Sequence, residues 1–257
     1  MRILFRVLVF GYVFAILQSC ASVYLPAAQN VPVFREKGEV KLSAGVYDYQ
    51  VAYAVGRHTA VMVNAQNSDR LVREIMARPG SNNRVVSKMV EVGGGFFTDD
   101  KSTWTFETYG GLGVFKTALR SDFQDTRPVY PGETALRDSS YTTHLNTRGA
   151  RFFLQPNLGF ASKAIDIAFS TRITGLTFGS VTSVNFSAFT LKYSSIGNLG
   201  DRLHLFAEPA ITMRVGYKWI KMQIQTGISL QFTSAEVPYN YLFGSVGLVG
   251  DIGKWYR

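Results

Sequence analysis

The chain has 257 residues, a formal net charge of +9, 18% charged residues and 14% aromatic residues. A soluble domain usually carries about 25% charged residues, so this low fraction disfavours an ordinary water-soluble surface. The basic residues are scattered along the chain, which argues against nucleic acid as a partner. No internal run reaches the roughly 18 apolar residues of a membrane helix, so any membrane span must consist of strands.

The first residues have the layout of an export signal. Two arginines precede an apolar stretch at 7–17, and residues 17–20 read Leu-Gln-Ser-Cys. These four residues resemble the cleavage box of bacterial lipoproteins, which implies that Cys20, the only cysteine, becomes the lipid-modified first residue. The alternative is ordinary signal cleavage after Ala21.

The chain then divides into three predicted parts. Residues 21–37 lack any periodicity and contain two prolines, so they read as an extended linker before the first strand. We predict a lipoprotein signal peptide at 1–19, a lipid-anchored linker at 20–37 and a β-barrel domain at 38–257.

Alternation of apolar and polar residues predicts about ten strands, with a range of eight to twelve. The clearest case is the hairpin within 203–232, in which two alternating runs flank a short break at 216–218. Each run reaches the roughly 9–11 residues that cross a bilayer as a tilted strand. The predicted strands lie at 40–46, 50–55, 61–66, 85–97, 104–114, 151–160, 165–173, 203–215, 220–232 and 239–252.

Three segments between these strands are assigned differently. Residues 71–76 place apolar side chains on one face of a short helix. Residues 116–146 form the longest irregular segment. Residues 176–202 are ambiguous, and a strand at 184–193 would raise the count towards twelve.

The connections indicate a transmembrane antiparallel β-barrel. Those after strands two, four, six and eight are short, whereas those after strands three, five and seven are long, as in barrels with periplasmic turns and extracellular loops. Four aromatic residues near the short turns fit a membrane interface: Trp104, Phe160, Tyr217 and Trp219. An even strand count returns both ends of the barrel domain to one side, where we expect the Cys20 lipid to lie in the periplasmic leaflet.

Cys20 and five short motifs carry a resemblance to a known family. The motifs read Asn-Val-Pro at 30–32, Glu-Lys-Gly-Glu at 36–39, Ala-Tyr-Ala-Val at 52–55, Gln-Pro-Asn at 155–157 and Glu-Pro-Ala at 208–210. With them the mature chain resembles the lipoprotein-type outer-membrane β-barrel proteins of Gram-negative bacteria. The resemblance implies outer-membrane lipid and the barrel-assembly machinery as partners, and it implies no reaction.

If the apolar column of each strand faces lipid, the other column faces the lumen. Nine charged residues belong to that column: Lys41, Glu91, Glu107, Arg151, Asp166, Arg172, Glu208, Arg214 and Lys221. Eight strands make a barrel that its own side chains fill, and about 16 leave a water channel. We therefore expect a narrow lumen in which these charges pair across the axis. The alternative is a charge-lined passage or small-ligand site.

Enzymatic motifs are sparse. No nucleophile elbow, zinc-protease motif or phosphate-binding loop occurs. Asp138, Ser139, Ser140 and His144 lie together in a predicted outer loop, but a flexible loop does not hold a base against a nucleophile. No set of ligands has metal-site spacing. We predict no enzymatic activity, no cofactor and no metal.

The sequence therefore predicts an outer-membrane β-barrel lipoprotein with a narrow, charge-filled lumen. Its expected role is structural, related to permeability, or the presentation of outer loops. The first alternative is an outer-membrane enzyme that acts at the extracellular rim. The second is a soluble periplasmic β-lipoprotein that binds an apolar ligand inside.

Overall fold

The computed structural model describes residues 22–68, 84–98, 103–128, 136–184, 199–200, 202–217, 219–233 and 237–252. The predicted signal peptide, Cys20, the predicted helix at 71–76 and most of the proposed strand at 184–193 lie outside these residues. Eleven strands form within them: β1 (Val40–Gly45), β2 (Asp48–Tyr53), β3 (Thr59–Asn67), β4 (Arg84–Phe97), β5 (Trp104–Pro128), β6 (Leu136–Ala161), β7 (Ile165–Val184), β8 (His204–Tyr217), β9 (Ile220–Ile228), β10 (Leu230–Gln231) and β11 (Leu242–Asp251). No described helix is long and apolar enough to cross a membrane.

The strands close into an antiparallel barrel. Sequential neighbours pair from β1 to β9, and β11 pairs with both β9 and β1. The two residues of β10 continue β9 beyond Ser229 and pair with β8, so the wall contains ten strands. The predicted antiparallel barrel of about ten strands is confirmed.

The two ends of the barrel differ. One end, the short-turn end, carries the connections β2–β3, β4–β5, β6–β7 and β8–β9, together with the start of β1 and the end of β11. The opposite end, the long-loop end, carries the β3–β4, β5–β6, β7–β8 and β10–β11 connections and one tight turn between β1 and β2.

The prediction that 116–146 is irregular was wrong. Strands β5 and β6 pair without interruption from Trp104 opposite Phe160 to Pro128 opposite Leu136, and β7 continues to Val184. We call the part of β4–β7 nearest the long-loop end the tall wall. It begins beyond Lys88 in β4, Lys116 in β5 and Arg148 in β6, and beyond Ser180, which lies opposite Arg148, in β7. Its described outward side chains include Arg120, His144, Asn146 and Thr182, so this part lacks the regular apolar alternation by which the other strands are recognised.

The polarity of the wall inverts along its height. Between 104 and 114, β5 points apolar residues outward, such as Leu112 at 67% exposed, while Glu107 points inward and is buried. Beyond this level Lys116 points outward and Leu119 is buried. The inside of the tall wall is therefore apolar, as in a soluble protein. The rest of the barrel towards the short-turn end, which we call the lower barrel, has its apolar face on the outside.

The exposed apolar side chains of the lower barrel form a continuous band that we call the apolar belt. It runs around all the strands of the closed sheet. Its larger members include Leu42, Val51, Val61, Val63, Val90, Val92, Phe106, Leu112, Val114, Phe152, Leu154, Leu158, Ile167, Phe169, Ile211, Met213, Met222, Ile224, Val246 and Leu248.

Candidate functional site in the barrel lumen

The lumen is occupied by the chain itself. Residues 22–39, which we call the lumen segment, enter at the long-loop end, where Val23 N–H donates to Pro238 O at 2.7 Å and Tyr24 forms a bridge with Tyr239. The segment leaves at the short-turn end, where the Arg35 guanidinium donates to Ala161 O. Its residues from 22 to 34 are all buried. The segment is extended, as expected for a linker, but it lies inside the barrel.

Amide side chains of the wall hold the upper half of this segment. Gln225 accepts from Gln29 N–H at 2.7 Å and donates to Gln29 O at 2.9 Å. This pair of bonds replaces those that a neighbouring strand would make. Asn30 donates to Asn64 Oδ1 at 2.8 Å, and its carbonyl accepts from Gln155 at 2.8 Å.

Charged side chains hold the lower half. Arg214 donates to Val31 O at 2.5 Å, and Glu107 Oε1 accepts from Phe34 N–H at 2.7 Å. Opposite Val33 the wall has a glycine, Gly159, on which a Cβ would lie 2.8 Å from Val33 Cγ1. The wall is thus shaped to the segment as well as bonded to it.

Four charges form the central cluster at the middle of the lumen: Glu91, Arg151, Arg172 and Glu208. Glu91 pairs with Arg151 Nε at 2.8 Å and with Arg172 Nη1 at 3.3 Å, and all three side chains are at most 2% exposed. Arg172 also donates to Gln155 at 2.8 Å and stacks over the Phe153 ring at 4.6 Å. Burial of such charges is tolerated only when they are paired and hydrogen-bonded.

Glu208, the fourth charge, joins this cluster to the lumen segment. It accepts from the Tyr24 hydroxyl at 2.6 Å, from Thr174 at 2.9 Å and from Ser229 at 3.2 Å. The Arg151 guanidinium lies 5.8 Å from the centre of the Tyr24 ring. Tyr24 therefore contributes one of the hydrogen bonds that satisfy a buried carboxylate.

Aromatic packing fixes Tyr24 at the mouth of the lumen. Its ring lies 4.9 Å from that of Phe206, which in turn lies 5.1 Å from Tyr239. Burial raises the pKa of Tyr239, and its oxygen accepts from Gln231 N–H at 3.2 Å. These rings belong to an apolar cluster that fills the inside of the barrel at the long-loop end.

All nine residues predicted to line the lumen point inward; eight are buried, and Asp166 is half-buried. They do not form one cluster. Four of them make the central cluster, and five lie nearer the short-turn end: Lys41, Glu107, Asp166, Arg214 and Lys221. There Lys221 pairs with Asp166 at 2.6 Å, and Lys41 pairs with Glu39 at 3.1 Å and Asp251 at 2.5 Å.

The sequence reasoning missed the partners of these charges. Glu39 and Asp251 were not among the predicted lumen charges, and Gln29 and Asn30 were assigned to a linker outside the barrel; Asn64, Gln155 and Gln225 were placed in the inward column but not recognised as partners of a chain segment. The wall amides were visible in the sequence, because they occupy the same inward column as the predicted charges. Only the lumen segment, which has no alternation, lacked such a signal.

The other residues singled out for possible chemistry lie on one strand, β6. His144 is exposed on β6, which also contains residues 138–140; these residues lie in a strand rather than in the predicted loop. Within the described residues, no group of three or more His, Cys, Asp or Glu side chains is placed to hold a metal ion.

An apolar ligand would have to compete with the lumen segment for the interior. An open cavity of about 340 Å³ does lie beside this segment at the long-loop end, next to the tight β1–β2 turn. Leu25 and Pro26 of the segment form part of its lining. The cavity is a notch at the rim rather than an enclosed chamber.

Comparison of the chain with protein-family models finds no match, and neither a curated protein nor a solved structure matches it.

Proposed function

We propose that this protein is an outer-membrane β-barrel lipoprotein. A segment of its own chain closes the lumen, and the tall wall stands outside the membrane. The observation that carries the proposal is the inversion of polarity along β4–β6. Its partners would be outer-membrane lipid and the barrel-assembly machinery. We assign it no reaction; its role is structural, as a closed element of the permeability barrier.

The height of the apolar belt supports a bilayer as its surroundings. Along β5 the outward apolar column begins at Trp104 and ends at Val114, which is eleven residues. Tilted strands cross a bilayer in about 9–11 residues. At the lower edge, the rings of Trp104 and Phe160 lie 5.4 Å apart, and Tyr217 and Trp219 are exposed at the same end. Such rings are typical of a membrane interface.

The lumen segment supports a closed barrel rather than an open passage. Eight strands make a barrel that its side chains fill, so ten leave additional space along the axis. Here that space contains an extended chain bonded to β3, β5, β6, β8 and β9. Ion pairs of the central cluster occupy the remaining cross-section.

The path of the segment changes where we place the lipid anchor. We take the short-turn end as periplasmic, as in other membrane barrels. Ser22 then lies at the outer end, beside Asn240, whose side chain accepts from the Ser22 hydroxyl. Two residues of chain span at most roughly 7 Å, so a lipid on Cys20 would insert in the outer leaflet. The sequence alone had led us to expect the periplasmic leaflet.

We expect intact cells to expose the long-loop end. A cysteine introduced by Thr182→Cys, which is exposed on the tall wall, should react with a membrane-impermeant maleimide, because this wall stands outside the membrane. The matched Lys163→Cys variant, exposed in the β6–β7 turn, should react only after cell lysis. The reverse pattern would invert the orientation, and equal labelling of both intact variants would exclude a membrane-spanning barrel.

We expect Leu112→Arg to lower the free energy of unfolding in phospholipid vesicles by about 1–3 kcal/mol, because arginine is costly on the lipid face and Leu112 lies inside the apolar belt, two residues from its upper edge. Leu112 is 67% exposed, so in a soluble protein the same change would alter stability by only about 0.5 kcal/mol. Urea titration followed by tryptophan fluorescence measures the difference.

Asn146→Arg is the matched control, since Asn146 is also exposed on the outer face but lies above the apolar belt. Its effect should remain within about 0.5 kcal/mol. If both variants are as stable as the unmodified protein in vesicles, the apolar belt does not face lipid and the proposed location is wrong.

A further inference from the structure

A row of three basic side chains crosses the outer face of the barrel. Lys88 on β4 lies opposite Lys116 on β5, and Lys116 lies opposite Arg148 on β6. All three are exposed and point outward. Neighbouring strands are about 4.8 Å apart, and like charges directly opposite one another destabilise a sheet. We call this set the basic row; a bound anion would relieve the repulsion between its members.

The surroundings of the basic row are rich in hydrogen-bond donors. Lys116 and Arg148 share an open cleft of about 400 Å³ with three polar residues: Asn146, Ser180 and Thr182. A shift in the register of β6 and β7 beside Arg148 sets Ser180 opposite that arginine. Arg120 and His144 form a second basic pair, one opposite the other, further up the same face.

The same face offers no competing acid within the described side chains. Between the level of Lys88 and the higher level of His144 on the barrel wall, the described outward side chains of β4–β7 are basic, apolar or neutral polar. The buried acids of the central cluster point the other way, into the lumen. Within the part of the chain that the structure describes, no acidic side chain is placed to pair with the basic row, so an external anion fits there.

The position of the row identifies the kind of anion. Two residues below it, Val90, Val114 and Ala150 begin the apolar belt in the same register. Two residues of strand rise about 7 Å, so the ammonium and guanidinium groups lie at the edge of the belt, where lipid headgroups meet the hydrocarbon. A soluble anion would contact only the basic row. A lipid would contact the basic row with its headgroup and the apolar belt with its acyl chains.

We propose that the basic row and its cleft bind the phosphate of a lipid headgroup in the leaflet at the long-loop end. This inference rests on the membrane location proposed above. An arginine can donate two parallel hydrogen bonds to a phosphate, and lysines contribute further positive charge. The hydroxyls of Ser180 and Thr182 and the amide of Asn146 supply neutral donors. Acyl chains of the same lipid would lie against Val114 and its neighbours.

The test compares two triple variants in a neutral detergent. Lys88→Gln with Lys116→Gln and Arg148→Gln removes the basic row. Lys37→Gln with Arg57→Gln and Lys163→Gln removes the same charges from exposed residues at the short-turn end. Fluorescent phosphatidic acid is titrated into each protein and followed by anisotropy, with phosphatidylcholine as the uncharged comparison. A change of mobility on heating in gels verifies that each variant is folded.

We expect the first triple to weaken phosphatidic acid binding at least tenfold, at about fivefold per basic residue, and the control triple to bind like the unmodified protein. Equal losses in the two triples, or no preference for phosphatidic acid over phosphatidylcholine, would overturn the proposal. Displacement of the lipid by millimolar inorganic phosphate would show that a soluble phosphate is the ligand. Failure of the membrane location itself is recognised separately, by a neutral Leu112→Arg.

Discussion

Glu91→Ala is expected to lower the free energy of unfolding by about 3–5 kcal/mol, because it leaves buried cations without their partner. The carboxylate pairs with Arg151 at 2.8 Å and with Arg172 at 3.3 Å, in the middle of the lumen where neither guanidinium reaches solvent. Urea unfolding of the protein in phospholipid vesicles, followed by tryptophan fluorescence, measures the loss.

Two further variants test the reason given for this effect. Asp166→Ala removes the acid of an ion pair near the short-turn end, where the two side chains are 9% and 13% exposed and Lys221 keeps its hydrogen bond to Ser162 O at 3.0 Å, so we expect a smaller loss than for Glu91→Ala. Replacing Glu91 by leucine, Glu208 by glutamine and both Arg151 and Arg172 by methionine removes all four charges of the central cluster and should recover most of the lost stability. If this quadruple variant is as unstable as Glu91→Ala, packing rather than charge pairing explains the effect.

The strands of the lower barrel were predictable because the outer face and the lumen carry opposite types of residue at alternate positions. In β9, for example, Ile224 is exposed as part of the apolar belt and Gln225 is buried against the lumen segment. Each strand repeats this contrast, so a period of two fixes its inward and outward columns. The nine charged residues expected to line the lumen could be chosen on the same basis.

The tall wall was missed because the contrast changes sign there. Above Lys116 the outer face carries polar side chains, such as Arg120, and the inner face carries apolar ones, such as Leu119 and Leu145. Because the prediction assumed that the outward column is apolar, it assigned this stretch to a loop. The pairing that defines this stretch, from Lys116 opposite Arg148 to Pro128 opposite Leu136, is made by backbone groups and does not depend on the apolar alternation by which the other strands are recognised.

The lumen segment could not be recognised for a different reason. Residues 22–34 are buried on all sides, so neither a period of two nor a period of 3.6 marks them. Their backbone groups are satisfied by wall side chains such as Gln225, Gln155 and Glu107, which lie between 73 and 196 residues away in the sequence. Local propensity carries no information about such long-range bonds. What the sequence did contain was an excess of inward amides with no evident partner.

We expect removal of residues 23–34 to convert a silent protein into one that conducts ions in discrete steps across planar lipid bilayers. The segment occupies the cross-section of one extended chain along the axis, and the ten-stranded wall keeps its shape through its own pairing. A second variant guards against a folding defect of the deletion: replacing the same residues with glycine and serine keeps the length but removes the Tyr24–Glu208 and Asn30–Asn64 hydrogen bonds and the packing of Phe34. It should conduct intermittently.

The matched control shortens the tall wall and leaves the lumen segment in place. Replacing residues 125–139 by a two-residue Asn-Gly turn should close the β5–β6 hairpin at Gln124 and Ser140, which already face each other, and the protein should remain silent. Conductance by the unmodified protein would contradict closure by the segment. Silence of both segment variants, once gel mobility and circular dichroism have verified their folding, would assign closure to the central cluster alone. The contact between Tyr24 and Glu208 would then stabilise the lumen segment without closing a passage.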